Sequence, residues 1–316
     1  MAFTIGIDMG GTNTDIGIVN EHGKCIDRNR LATSTYSNID IFVSDLVNSI
    51  HKLLEKHKIK TINGIGIGAP NANFYTGEIC KAPNLKFEEN FNLKKLIKNQ
   101  IDTKVVITND ANAAAYGEMF YGGAKNIKNF IMITLGTGVG SGIVIDGKVV
   151  YGHDGMAGEL GHTIIFPDGR QCTCGRKGCL ETYASARGIK QTCHELLAEH
   201  QIESELYSLP VGKIGGKVIG DAADRGDALA VETLRQTGYV LGLALSNAVA
   251  CTSPEAIFLM GGPTKSGDLL SPTKYYLEKF LLASYQGKVQ LLLSQLNENT
   301  AAILGAAALL QLEEQN

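Results

Sequence analysis

Apolar and polar positions near the start of the chain follow the rhythm of short strands joined by tight turns. Ile5 and Ile7 alternate with small or polar neighbours over residues 3–8, Gly10-Gly11-Thr12-Asn13 interrupts, and Ile16 to Val19 resumes the run before Glu21-His22-Gly23-Lys24. This predicts a strand meander. Over residues 39–54 the apolar positions are 39, 42, 43, 46, 47, 50, 53 and 54, the spacing of an amphipathic helix, with Ser37 or Asn38 as its N-cap. Buried strands are predicted over 62–68 and 104–108. The second ends in Asn109-Asp110, ahead of an alanine-rich helix from Ala111 to about Phe120. A strand over 130–135 is broken by Gly136-Thr137-Gly138-Val139-Gly140, resumes over 142–145 and turns at Asp146-Gly147-Lys148. Beyond a loop-rich stretch with cysteines, the pattern predicts helices over 183–200 and 227–250 and strands over 256–260 and near 289–293. A last helix is predicted over 300–312, rich in alanine with Gly305, which suits close packing.

The pattern repeats itself. Strand, glycine turn with threonine, Gly-Ile-Val and a Gly-Lys hairpin occur in that order at residues 5–24 and again at 131–148. Two copies of a strand-turn-strand phosphate loop, each opening its own α/β domain, would set two glycine turns face to face across a cleft. A length of 316 residues, above the usual size of one domain, agrees with two.

Composition and charge narrow the partners. With 44% apolar and 19% charged residues and no homopolymeric tract, the chain is neither disordered nor fibrous. A net charge of -3 builds no field that would attract nucleic acid or an anionic membrane, so a small solute is the expected partner. Three of the seven cysteines, Cys172, Cys174 and Cys179, cluster while Cys25, Cys80, Cys193 and Cys251 are scattered, unlike a secreted disulfide scaffold. The N-terminus lacks a basic region and reaches Asp8 early, and no apolar run approaches a membrane span, so a cytoplasmic location is expected.

The glycine turns carry the first candidate chemistry. Around Asp8-Met9-Gly10-Gly11-Thr12-Asn13 and Gly136-Thr137-Gly138, backbone amides and threonine hydroxyls could surround phosphate oxygens. Either loop alone could be an ordinary hairpin turn, but two matching copies favour phosphate binding. No Walker A pattern is present, which excludes a P-loop NTPase. Asp8, at a strand end, is placed to hold magnesium through water. Asp110 could take a hydroxyl proton or cap the following helix, and the residues alone leave both open.

The sharpest local signal is His162 with Cys172, Cys174 and Cys179, four soft ligands spaced for tetrahedral zinc. One histidine and three cysteines close the coordination sphere, so the metal would be structural. Glu159 and Glu181 flank the array, and carboxylates fixed by a metal-stiffened loop suit sugar hydroxyls.

Three stretches together resemble the ROK family of sugar kinases and sugar-responsive repressors, most of all its bacterial glucokinases. They are Leu135-Gly-Thr-Gly-Val-Gly-Ser-Gly, Gly158-Glu-Leu-Gly-His162 and Cys172-Thr-Cys-Gly-Arg-Lys-Gly-Cys-Leu-Glu181. The resemblance extends to Asp8-Met-Gly-Gly-Thr12, Asn109-Asp110 and Gly261-Gly262, the last as a nucleotide-side turn. It implies an α/β fold of two ribonuclease-H-like domains, those of the actin-like ATPase clamp, closing around a cleft on ATP, magnesium and a hexose. The smaller domain is expected at 1–117 plus 301–316, and the larger, with the zinc-bearing loop, at 118–300. In such kinases the residue matching Asp110 is the catalytic base, and those matching Asn109, Glu159, His162 and Glu181 hold the sugar, with Asn84 bordering the pocket. His162 would bind zinc through one ring nitrogen and donate to a sugar hydroxyl through the other. Asn13 stands where many relatives carry lysine, and Pro263 follows Gly261-Gly262 where a third glycine is common. The resemblance also implies a homo-oligomer, dimer or tetramer.

The family's repressors carry a helix-turn-helix region ahead of the first phosphate strand, which here begins at about Phe3, so no nucleic-acid partner is expected. A non-catalytic sugar sensor is the competing function, disfavoured by Asp8, Thr12, Gly136, Thr137 and Asp110. The expected reaction is phosphorylation of the 6-hydroxyl of glucose, with N-acetylmannosamine, N-acetylglucosamine, allose and fructose as alternative substrates.

Overall fold

Strand β1 (Phe3–Met9) turns at the first glycine loop into β2 (Thr14–Asn20), which pairs antiparallel with β3 (Cys25–Leu31). The computed structural model describes residues 2–80, 82, 85–87 and 90–313. Helix α1 (Ile39–Lys56) follows, capped by the Asn38 side chain, which accepts from the Ile41 amide at 3.0 Å. Then come β4 (Ile65–Gly68), a small hairpin of β5 (Glu78–Cys80) and β6 (Asn90–Asn92), α2 (Leu93–Lys98), β7 (Val105–Thr108) and α3 (Asp110–Tyr121). The first sheet has the order β3-β2-β1-β4-β7, with β1, β4 and β7 parallel.

The second half opens with β8 (Phe130–Leu135), β9 (Val139–Ile145) and β10 (Lys148–Val149). The expected helix over 183–200 is two helices, α4 (Glu181–Ala184) and α5 (Ala186–Glu199). Ser185 separates them because its extended backbone lets its side chain cap α5, accepting from the Gly188 amide at 3.1 Å. Then follow α6 (Gly216–Asp224), α7 (Ala228–Thr252), β11 (Ala256–Met260), α8 (Leu270–Phe280), β12 (Gln290–Leu293) and α9 (Ala301–Ala308). The second sheet runs β10-β9-β8-β11-β12, repeating the order of the first, and β8, β11 and β12 are parallel. The duplication legible in the glycine turns is therefore a duplication of whole sheets.

The chain divides into two compact units, Met1–Ile127 with Gly142–Ala157 and Gln295–Asn316, and Lys128–Ser141 with Gly158–Ser294. This differs from the division expected at residues 117 and 300, for three reasons. Helix α3 runs on to Tyr121, and the buried Glu118 accepts from the Gly123 and Gln295 amides at 2.7 and 3.1 Å, which keeps both segments in the first unit. The stretch after β10 joins it too, because Tyr151 stacks on Phe74 with ring centroids 4.1 Å apart and the Tyr75 hydroxyl donates to the Gly152 carbonyl at 2.9 Å.

In the first unit, Ile5, Ile7, Ile16, Ile18, Ile65 and Ile67 are fully buried in one cluster with Phe42, Leu46 and Ile50 of α1. Each such side chain contributes about 1.5–3 kcal/mol on leaving water. Helix α9 packs against β1, β4 and α3. Gly117 and Gly305 allow that approach, since a Cβ on Gly305 would strike the Ala113 carbonyl and one on Gly117 the Gly305 backbone. In the second unit Ile131, Ile133, Ile257 and Leu259 are buried with Leu241, Leu245 and Leu277 of α7 and α8. Among the described residues no helix is long and apolar enough to cross a membrane.

Candidate functional site

Two groups of residues stand out, one in each unit. In the first, Asp8 lies near the carboxyl end of β1 and the glycine loop follows at once. The Gly10 amide donates to the Asn13 carbonyl at 2.9 Å, and the Ser34 amide donates to the Thr12 carbonyl at 3.2 Å. Beneath the loop the buried Thr14 and Thr33 hydroxyls meet at 2.7 Å, and Thr12 is exposed above it. The loop is thus braced from the core side with its tip open.

Asn109 and Asp110 lie just past the end of β7, and the cap of the following helix falls to Asn109 rather than to Asp110. Asn109 is the N-cap of α3, its Oδ1 accepting from the Ala111 amide at 2.9 Å, and Asp110 occupies the first helical position. Asp110 Oδ1 accepts from the same amide at 2.8 Å. Beyond these bonds the Asn109 side-chain amide can donate and the second Asp110 oxygen can accept.

The Asp8 carboxylate senses the charge of Asp110. Burial pushes the Asp8 carboxyl up to about 7, and the charges of Asp110 and Asp15 push the same way, while Arg30 opposes them. Burial likewise raises Asp110 above the usual carboxylate range. Asp110 is exposed by surface area although protein surrounds it densely. The open area is what a substrate would cover, and the surrounding protein sets the proton affinity.

This has a consequence for stability. The native state holds the Asp8 proton up to about pH 7, whereas an ordinary aspartate releases it near 3.8. Between those values the native state binds more protons than the unfolded one, so the Asp8 contribution falls as pH rises from about 4 to 7. Asp8→Asn removes that slope. Its melting temperature, compared with wild type without ligand, is expected to rise by a few degrees between pH 5 and pH 8, one pKa unit being worth about 1.4 kcal/mol. A constant difference across that range would contradict the assignment.

The second unit carries the other glycine loop. The Gly136 amide donates to the Gly138 carbonyl at 2.9 Å, and the Ala186 amide donates to the Gly136 carbonyl at 2.9 Å. Glu181, first residue of α4, accepts from the Val139 amide through Oε2 at 3.0 Å. A Cβ at Gly138 would meet that same carboxylate, which would have to shift, so glycine at position 138 suits the contact with Glu181. Glu159 is exposed at the head of a short 3-10 turn that ends in His162. The buried Ser141 pins this turn, its hydroxyl donating to the Gly158 carbonyl and accepting from the Leu160 amide at 3.1 Å.

Ligand atoms of His162, Cys172, Cys174 and Cys179 all lie within 4.8 Å of one another. Cys174 and Cys179 sulfurs are 3.6 Å apart, and Cys172 Sγ is 3.7 Å from His162 Nδ1. Tetrahedral zinc with its usual bond lengths sets such atoms about 3.6–3.8 Å apart, so the four residues fit the metal. Burial pushes the Cys174 thiol up, but the Arg176 backbone and side chain and the thiols of Cys172 and Cys179 bring it down to about 6. A thiolate is the form a metal binds. With Nδ1 directed to Cys172, Nε2 of His162 is the nitrogen left for a hydroxyl.

The structure thus groups Asp8, Gly10, Gly11, Thr12, Asn13, Asn109 and Asp110 in the first unit. It groups Gly136, Thr137, Gly138, Glu159, His162, Glu181 and the three cysteines in the second. Gly261 and Gly262 follow β11 there, and the Thr264 hydroxyl donates back to the Gly261 carbonyl at 2.8 Å. Asn84 lies outside the described residues. The sequence pattern did not single out Arg170 and Arg176. Arg170 donates to the Thr182 carbonyl at 2.8 Å and to the Thr192 hydroxyl at 2.9 Å, pairs with Glu195 and lies 4.5 Å from the centre of the Tyr183 ring. It ties the cysteine loop to the helices that begin at Glu181. Arg176 donates to the His162 carbonyl at 2.9 Å. A cation between Cys174 and Cys179 was a usable signal for Arg176; the partners of Arg170 lie 12 to 25 positions away and left none.

Comparison with known proteins places these residues in context. The model of the ROK family matches residues 4–313. The chain is 36% identical to a glucokinase of Halalkalibacterium halodurans, over 98% of this chain and 95% of that protein. It is 29% identical to a xylose repressor of Caldicellulosiruptor bescii, over 96% of this chain and 77% of the repressor. Among solved structures it resembles a ROK-family glucokinase from Streptomyces griseus in complex with glucose and AMPPNP, with a TM-score of 0.82 at 32% identity, covering 98% of this chain and 99% of that one.

Proposed function

The chain belongs to the ROK family, and from that premise we propose that it is an ATP-dependent sugar kinase that phosphorylates the 6-hydroxyl of glucose, with Asp110 as base. The observation that carries the reading is the pair Asp8 and Asp110. They stand at the ends of β1 and β7, two strands parallel to the same neighbour, and are close enough that the charge of Asp110 raises the proton affinity of Asp8. Ligand chemistry in open α/β sheets sits at such strand ends. A raised carboxyl at Asp110 suits a group that must take a proton, and a second carboxylate at Asp8 suits a magnesium nucleotide. Glucokinases at 30–36% identity support a kinase over a repressor, and the glucose and AMPPNP bound by the Streptomyces griseus relative support the two substrates.

In this reading Asp110 accepts the proton of the 6-hydroxyl as its oxygen attacks the terminal phosphorus of ATP. Asn109 presents its side-chain amide to a sugar hydroxyl while its carbonyl oxygen holds α3 in place. Glu159, Glu181 and His162 Nε2 hold other hydroxyls. The amides of Gly10–Asn13 and Gly136–Gly138 take the phosphates, with Gly261-Gly262 beside the nucleotide. Asp8 would hold magnesium, which would supply neutralising charge to the polyphosphate, and His162, Cys172, Cys174 and Cys179 would hold zinc, whose coordination would stiffen the loop that carries Glu159 and Glu181. A loose phosphoryl transition state asks mainly for positioning and charge neutralisation, which these groups supply.

ADP release with magnesium ATP tests the substrate across glucose, mannose, fructose, allose, N-acetylglucosamine and N-acetylmannosamine. Glucose is expected to give a kcat/KM at least about tenfold above each of the others, a discrimination within reach of pocket contacts. A higher value for an N-acetylated sugar or fructose would move the substrate and leave the kinase. If no sugar stimulates ADP release, the kinase assignment itself fails.

A further inference from the structure

The negative charge around Asp8 needs an answer if a polyphosphate is to sit there. Asp15 and Asp110 lie within electrostatic reach of Asp8, and among the described residues the cation whose charge opposes theirs there is Arg30. The first glycine loop, Gly10 to Asn13, contains no lysine or arginine, and its Gly10 amide is already bonded to Asn13.

The strand register shows where that cation stands. Asp8 of β1 pairs directly with Asp15 of β2, and Asp15 with Arg30 of β3. Directly opposed residues project on one sheet face, so the three form a row across three strands. One level back on the same face, Gly6 pairs with Gly17 and Gly17 with Arg28. There α9 covers the sheet, because a Cβ on Gly6 or Gly17 would strike Ile303, and Arg28 donates to the Asn299 carbonyl at 2.5 Å. The Asp8-Asp15-Arg30 row is the next level toward the glycine loop and remains accessible, with 22% of the Asp15 side chain and 58% of the Arg30 side chain exposed.

Arg30 is held there in a fixed attitude. Its Nε and Nη2 donate to the two oxygens of Asp15 at 2.7 and 2.8 Å, a bidentate fork. That pair uses two of the five guanidinium N–H groups and leaves three with the geometry that suits phosphoryl oxygens.

We propose that Arg30, oriented by Asp15, is a phosphate-binding residue of the first glycine loop and contacts the polyphosphate of the magnesium nucleotide. The inference rests on the kinase reading and adds to it the positive side chain that the loop itself lacks. Asp15 is the positioning residue, since its carboxylate aims the guanidinium and touches no substrate. A plain cross-strand ion pair is the competing account, and it predicts no effect on nucleotide affinity.

The test uses the full-length protein and titrates magnesium AMPPNP into wild type, Arg30→Ala, Arg30→Lys and Asp15→Asn by calorimetry, alongside steady-state kinetics with the best sugar. Arg30→Ala is expected to weaken nucleotide binding about tenfold or more and to raise the KM for ATP while leaving the KM for sugar unchanged. Arg30→Lys, which keeps the charge and loses the fork, should fall between Arg30→Ala and wild type, as should Asp15→Asn. An active wild type with Arg30→Ala binding the analogue equally well overturns this inference alone. Equal losses of affinity for nucleotide and sugar in Arg30→Ala and Arg30→Lys, with lowered melting temperatures, also overturn it, because they mark a structural role. A wild type that binds no magnesium AMPPNP and phosphorylates no sugar overturns the kinase reading together with the inference.

Discussion

Asp110→Asn is expected to release ADP at least about a thousandfold more slowly than wild type while binding its sugar with an affinity within a few-fold. The asymmetry follows from what the substitution removes. Asparagine keeps the shape of the side chain, and its Oδ1 can still accept from the Ala111 amide, as Asp110 does at 2.8 Å. The cap of α3 belongs to Asn109, so the helix start is preserved. What disappears is the lone pair that takes the hydroxyl proton, and a neutral amide cannot replace it. General-base catalysis contributes about 10²–10⁴ in rate, whereas the ground-state sugar complex draws on several other groups. The electrostatic effect on Asp8 gives an independent reading, since loss of the Asp110 charge should lower the pH at which Asp8 ionises. Single-turnover rates with calorimetric sugar binding would check the first claim. A variant that keeps more than about a tenth of wild-type turnover is incompatible with Asp110 as base.

Much of this site was legible in local pattern, because its parts are turn chemistry and strand periodicity. The glycine loops and the Asn109-Asp110 step are encoded within a few residues each, and the His162–Cys179 array within a single stretch of 18. The repeat of strand, glycine turn and Gly-Lys hairpin correctly foretold two sheets of one topology. What escaped depends on partners distant in sequence or on weak periodicity. Strand β3 carries Asp27, Arg28, Asn29 and Arg30 in a row and buries little of itself, so no hydrophobic alternation announced it. Helix α8 takes its capping bond not from its N-cap residue Leu269 but from Asp268, whose Oδ1 accepts from the Ser271 amide at 2.9 Å, and that offset hides the helix start. The expected boundary near residue 117 ignored Glu118, whose bond to the Gln295 amide spans 177 positions. The contact from Glu181 to the Val139 amide, which joins the end of the cysteine loop to the second glycine loop, spans 42. No window of sequence contains either pair.

That last contact bears on the second large effect, the loss of zinc. Cys174→Ser is expected to abolish binding of about one zinc per chain, to lower the melting temperature and to depress kcat/KM mainly through the KM for sugar. The metal would cross-link four residues between positions 162 and 179, a stretch with little regular structure of its own, so its coordination would add to the order of that loop. Glu159 and His162 lie at one end of it and Glu181 at the other, and all three lose their fixed spacing when the cluster opens. Glu181 would retain its bond to the Val139 amide, and Arg170 would still anchor α4 through the Thr182 carbonyl. Of the groups proposed to bind the nucleotide, those of the first unit share no ligand with the cluster, so affinity for magnesium AMPPNP is expected to change less than affinity for sugar. Metal analysis of the purified protein, melting curves before and after chelation, and separate titrations of sugar and nucleotide distinguish these outcomes. Full sugar affinity in a metal-free protein would show that the four residues do not hold the loop through zinc.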